Sequence, residues 1–72
     1  MDIYLDKYIN DYNNCTNNIN EAIKYINQNG GGRLIFSANN IYRSGMIFLL
    51  SNVELYLEKN SILSNNIIIP DL

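Results

Sequence analysis

The sequence predicts a mainly β fold opened by one α-helix, with short strands wound through successive tight corners. Three observations predict it. Apolar residues recur with a helical period between Ile19 and Ile26. A glycine triplet, Gly30 to Gly32, then switches the period to two. From Leu34 to Leu63, very short apolar runs alternate with polar or glycine turns.

Tyr8 to Tyr12 reads as a short strand ended by Asn13-Asn14. The helix comes next, with Asn18 as its expected cap and Glu21 reaching back from the third helical position. Ile19, Ala22, Ile23 and Ile26 then form one apolar stripe. Gly30 supplies the left-handed residue that ends helices, and Gly31 and Gly32 prevent continuation. Strands are expected at Leu34–Phe36, Ile41–Arg43, Met46–Leu50, Val53–Leu57 and Ile62–Leu63. Val53, Leu55 and Leu57 alternate with Glu54, Tyr56 and Glu58, giving one buried face and one wet face. Ser51-Asn52 lacks the glycine of a tight hairpin, so an open corner is expected there.

Composition excludes several classes. Hydrophobic content of 47% with 17% charged residues argues against intrinsic disorder. Fourteen asparagines suit a chain of many corners, since Asn tolerates left-handed backbone, although a biased coding composition explains the excess as well. The net charge is −2, and Lys7, Lys24, Arg33, Arg43 and Lys59 are scattered, so no basic stripe exists for nucleic acid. The single Cys15 forms no internal disulfide, and the chain has no histidine. No apolar run approaches the ~18 residues of a membrane span, and the first residues lack a secretory core. As written, the chain is expected in the cytosol.

Within this pattern, Ala22-Ile23, Gly30-Gly31-Gly32, Leu34-Ile35-Phe36, Tyr42, Ser44-Gly45 and Leu49-Leu50-Ser51-Asn52-Val53 follow in an ordered series. Leu55-Tyr56-Leu57-Glu58 and Asn60-Ser61 complete it. The series, spanning about Tyr8 to Leu63, resembles the opening of polygalacturonase-type pectinases, glycoside hydrolase family 28. Pectate lyases and phage tailspikes share the helix-and-glycine opening. The resemblance implies the first coils of a right-handed parallel β-helix capped by the helix. On that reading, 1–72 is one incomplete domain, with 1–29 the strand and capping helix and 30–72 the first β-helix coils. Ser37 stands where the family has proline, Asn39 and Asn60 where it has glycine, and Leu50 where it has lysine. Asn is the best substitute for glycine at positive φ, so these corners survive at small cost. The family's Asn-x-Asp, Asp-Asp, Gly-His-Gly and Arg-x-Lys motifs are absent. No catalytic, cofactor-binding or metal-binding residue is therefore carried over, and no cofactor is expected.

The residues themselves offer few alternatives. Glu54 and Glu58 share a strand face but lie roughly 13 Å apart at ~3.3 Å per residue, too far for a glycosidase pair. Asp2, Asp6 and Asp11 are either solvated acids or weak cation ligands. The order helix, glycines, strand is the reverse of a phosphate cradle. Tyr25, Tyr42 and Tyr56 are either core-edge packing or a sugar-stacking surface. With Ile47 and Leu49 inward, Met46, Phe48 and Leu50 point outward as an apolar strip.

Three functions stand at this point. The first is an N-terminal fragment of a polygalacturonase-like hydrolase, whose family cleaves α-1,4-galacturonosyl bonds in pectin, here without catalytic residues. The second is a non-catalytic β-helix module binding a partner chain or glycan through its open coil end. The third is a truncated reading frame without function. The partners expected are the missing downstream chain or a second copy, with unpaired edges near Ile62 to Ile69 as the template. A pectin-like polysaccharide follows only from the resemblance.

Overall fold

The computed structural model describes residues 1–65 and 67–71. Strand β1 (Asp2–Tyr4) leads through one 3₁₀ turn (Leu5–Lys7) and a loop into helix α1 (Thr16–Gln28). Strands β2 (Gly32–Phe36), β3 (Ile41–Ser44), β4 (Ile47–Phe48) and β5 (Val53–Leu57) follow. Strands β6 (Ile62–Asn65) and β7 (Ile68–Ile69) come last. Pairing is parallel throughout, in three sheets ordered β1-β2-β5, β3-β6 and β4-β7. Gly32 lies opposite Val53, Ile41 opposite Ile62 and Ile47 opposite Ile68, in each case 21 residues further along. Asn66, inside the Ile62–Ile69 stretch expected to offer an edge, lies outside the described residues, as does Leu72.

The helix starts earlier than the capping pattern predicts. Cys15 is the residue before its first turn, and no side chain caps it. Tertiary hydrogen bonds set the boundary instead. The Cys15 N–H donates to the Arg43 carbonyl at 2.8 Å, and the Gly45 N–H donates to Thr16 Oγ1 at 2.7 Å. Asn18 is inside the helix, and its amide donates to the Tyr8 carbonyl at 2.7 Å. The helix end follows the expectation. Gly30 takes φ 94°, and the Gly31 N–H returns to the Ile26 carbonyl at 2.9 Å, the longer bond of a Schellman turn. Tyr8–Tyr12 is not a strand; the strand lies earlier, at Asp2–Tyr4, where it pairs with Arg33–Ile35.

Ile19, Ala22, Ile23 and Ile26 are buried, as their spacing requires, against Leu34, Phe36, Tyr42 and Ile47. Leu5 and Cys15 close the same cluster. Gly31 and Gly32 permit tight approaches beside it. A Cβ on Gly31 would stand 2.7 Å from the Asn52 carbonyl oxygen, and one on Gly32 would collide with the Met1 carbonyl. Ser51-Asn52 is an open corner, with Asn52 at φ 66° between strands of different sheets.

The expected right-handed parallel β-helix is not evident. The chain is a small mixed α/β structure, and residues 30–72 form parallel sheets of two or three strands, not β-helix coils. The distribution of the core gives the reason. Among the described residues every buried apolar side chain lies at or before Ile47, and α1 supplies four of the ten in the core cluster. Val53, Leu55 and Leu63 are only half-buried, and Leu57 is exposed. The interior is thus filled by a helix against one row of strands, not by inward residues of successive turns.

Replacing Ile23 with Ala is expected to destabilise the fold by about 2–5 kcal/mol, measured by urea unfolding. A loss below about 1 kcal/mol would show that the stripe is not the core.

Candidate functional site

The three sheets share two ends with different fates. At one end β2, β3 and β4 are each covered, with β1 as the outer strand of its sheet. β1 pairs with β2, and the Arg33 N–H donates to the Met1 carbonyl at 2.8 Å. The loop before α1 lies along β3: the Arg43 N–H donates to the Tyr12 carbonyl at 2.8 Å and the Arg43 carbonyl accepts from Cys15. Side chains of α1 cover β4 in the manner of a strand. Asn20 donates to the Met46 carbonyl at 3.0 Å and accepts from the Phe48 N–H at 2.9 Å, while Asn27 donates to the Ser51 carbonyl at 3.0 Å. At the other end, β5, β6 and β7 are all edge strands, and among the described residues no further strand pairs with them. Leu57, Ile62 and Ile68 are exposed along this edge.

Left-handed corners recur with the strand offset. Gly31 and Asn52 take φ 97° and 66°, and Asn39 and Asn60 take 64° and 63°, each pair 21 residues apart. The second pair is tied side chain to side chain, with Asn60 Nδ2 donating to Asn39 Oδ1 at 3.3 Å. Register also aligns Asp2, Arg33 and Glu54 across β1, β2 and β5. Arg33 donates to both Asp2 oxygens, at 3.3 Å from Nε and 2.8 Å from Nη2, and lies 4.7 Å from the Tyr56 ring centre. The Arg33 hydrogen bond holds the Asp2 carboxyl below its ordinary range. Glu54 makes no ion pair among the described residues.

The residues singled out by sequence do not assemble into a site. Asp2 is committed to Arg33, Asp11 accepts from the Asn13 N–H at 2.9 Å, and Asp6 serves a separate network. No group of three ligating side chains occurs among the described residues. Glu58 accepts from Tyr4 Oη at 3.0 Å and from the Ala38 N–H at 3.2 Å, which explains it as a corner clamp. Glu21 caps nothing and lines an open groove of about 630 Å³ with Ile3, Tyr8, Ala22 and Tyr25. Tyr25 and Tyr56 are exposed, but Tyr42 is fully buried, so the three do not form one stacking surface. Met46 and Phe48 are exposed as expected, whereas Leu50 is half-buried. Cys15 is buried, its thiol pushed up by desolvation, and donates weakly to the Asp11 and Tyr12 carbonyls.

Asp6 anchors the covered end. Its carboxylate accepts from Tyr12 Oη at 2.6 Å, Ser37 Oγ at 2.7 Å and Tyr42 Oη at 2.7 Å. Tyr42 Oη accepts in turn from the Ser37 N–H at 2.8 Å. Burial pushes the Asp6 carboxyl upward, and the hydrogen bonds from Tyr12, Ser37 and Tyr42 outweigh it, so the group sits below its ordinary range. Burial first, and then the bond to Asp6, push the Tyr42 phenol up to about 12.

Sequence reasoning missed the open edge's regularity. The signal was the 21-residue spacing of Asn39 and Asn60, and of Gly31 and Asn52, which strand patterning alone does not reveal. Compared with known proteins, the chain matches no family, no curated protein and no solved structure. No helix among the described residues is long and apolar enough to cross a membrane.

The Asp6 network has a pH signature at both limits. Asp6, held low, contributes stability above its unfolded pKa near 4 that disappears as pH falls through its folded value. Tyr42, held high, contributes stability below pH about 10 that disappears as pH rises through about 12. Tyr42→Phe is expected to lower stability at neutral pH by roughly 1–3 kcal/mol and to flatten the alkaline loss. Urea unfolding across pH checks both; an alkaline slope unchanged in the variant would contradict the assignment.

Proposed function

We propose that the chain is a non-catalytic module that takes up polypeptide by strand addition along β5, β6 and β7. One observation carries this reading: β2, β3 and β4 are covered on one side by the chain's own backbone and α1 side chains, while β5, β6 and β7 on their other side are followed by no further strand among the described residues. Strand edges left with unpaired N–H and C=O groups are templates for another chain, and main-chain hydrogen bonds then supply affinity. Charged side chains, proline and bulges usually blunt such edges. Here Pro70 stands beyond β7, while Leu57, Ile62 and Ile68 remain exposed along the strands.

The resemblance to polygalacturonase-type hydrolases supports a second, narrower reading. The polypeptide taken up then carries the carboxylates that hydrolyse α-1,4-galacturonosyl bonds, and this chain supplies the closed end. The observation that favours it is local. Asn39 and Asn60 hold left-handed φ at the positions where the family motif carries glycine.

A probe uncharged at position 54 separates strand addition from groove binding. A 21-residue peptide with the sequence of residues 52–72, carrying Gln in place of Glu54, is titrated into isotopically labelled protein. Amide shift changes confined to β5, β6 and β7 are the expected result. Changes centred on Tyr8, Glu21 and Tyr25, or none at millimolar peptide, would overturn the proposal. Under either reading the chain alone releases no reducing sugar from polygalacturonate.

A further inference from the structure

Resting on the strand-addition reading, we infer that the partner strand runs parallel to β5 and presents a lysine or arginine opposite Glu54. The outer face of the three-stranded sheet carries a charge ladder that stops one rung short. Asp2, Arg33 and Glu54 stand in register on β1, β2 and β5, so charge alternates negative, positive, negative toward the open edge. Arg33 is already engaged by both Asp2 oxygens and by the Tyr56 ring, and Glu54, though near enough to act on Arg33 through space, makes no ion pair among the described residues. A strand added beside β5 places one side chain directly across from Glu54. Opposite charges in such a cross-strand position stabilise the pairing and like charges destabilise it.

Two further features fix the direction and the corner. Every strand pair among the described residues is parallel, and β2-β5, β3-β6 and β4-β7 share one 21-residue offset, so a strand continuing that geometry is parallel to β5. At the corner, Asn60 donates its amide to Asn39, and its own Oδ1 accepts nothing among the described residues. A side-chain amide on the partner continues that ladder. The same register opposes uncontrolled stacking of identical copies: a second β5 added in parallel register sets Glu54 against Glu54. Complementary charge therefore selects a different strand over a self copy.

Two peptides with the sequence of residues 52–72, the native form and its Glu54→Lys analogue, test this by fluorescence anisotropy on the intact chain. The lysine peptide is expected to bind about three- to tenfold tighter than the native one, a preference that added salt reduces. Glu54→Gln in the protein should abolish the preference, and Glu54→Lys should reverse it. Equal binding of both peptides to the unchanged protein, or a preference that survives Glu54→Gln, would overturn the charge ladder while leaving strand addition intact. Failure of both peptides and of the glutamine probe to bind would instead remove the strand-addition reading beneath it.

Discussion

Backbone N–H and C=O groups along a strand must find partners, and this requirement organises the whole molecule. Strands β2, β3 and β4 would each present a bare side if the residues before Gly30 were absent. Instead β1 covers β2, Tyr12 to Cys15 cover β3, and Asn20 mimics a strand against β4. The helix does not only bury an apolar stripe; its polar residues continue sheets it does not belong to. Strands β5, β6 and β7 cover the opposite side of the same three strands and carry the unmet requirement outward. Covered and open ends are thus two outcomes of one constraint.

The energetics follow the same division. Burial at 0% relative exposure is reached by Ile19, Ile23, Ile26, Leu34, Phe36, Tyr42 and Ile47, all on α1 or on strands before β5. Asp6 pins the N-terminal loop to Ser37 and Tyr42, so the segment that closes the sheets is held by charge-assisted bonds as well as packing. The total accessible area of 4520 Å² equals what a compact chain of 8.3 kDa exposes, about 4,600 Å². The open edge is therefore a local feature of a compact chain and not a symptom of loose packing.

Much of this was legible residue by residue. The helical stripe, the left-handed stop at Gly30, the Val53–Leu57 strand and the left-handed corners at Asn39 and Asn60 all obey local rules. The helix start was not legible, because Arg43 and Gly45, some 28 residues away, set it through hydrogen bonds that no capping pattern encodes. Strand β1 escaped notice because its partner is β2, across the helix, and three residues are too few for a period of two to stand out. The β-helix expectation failed where a local motif was extended to a global winding. Short strands and corners fix parallel pairing, but the distribution of burial decides whether a wound core exists. Of the open edge, its apolar strand residues were visible; the unpaired rung at Glu54 was not, since it depends on the register that aligns Asp2 with Arg33.

Native-state hydrogen exchange tests the closed-and-open division most directly, since it reads each amide's protection separately. Amides of Cys15 and Arg43, of the α1 interior and of β2 are expected to exchange slowest, with global unfolding. Amides of β5, β6 and β7 that face away from their partner strands are expected to exchange nearly as fast as exposed loops. Uniform protection across β5 to β7 matching that of β2, or Cys15 and Arg43 exchanging as fast as β7, would contradict the account.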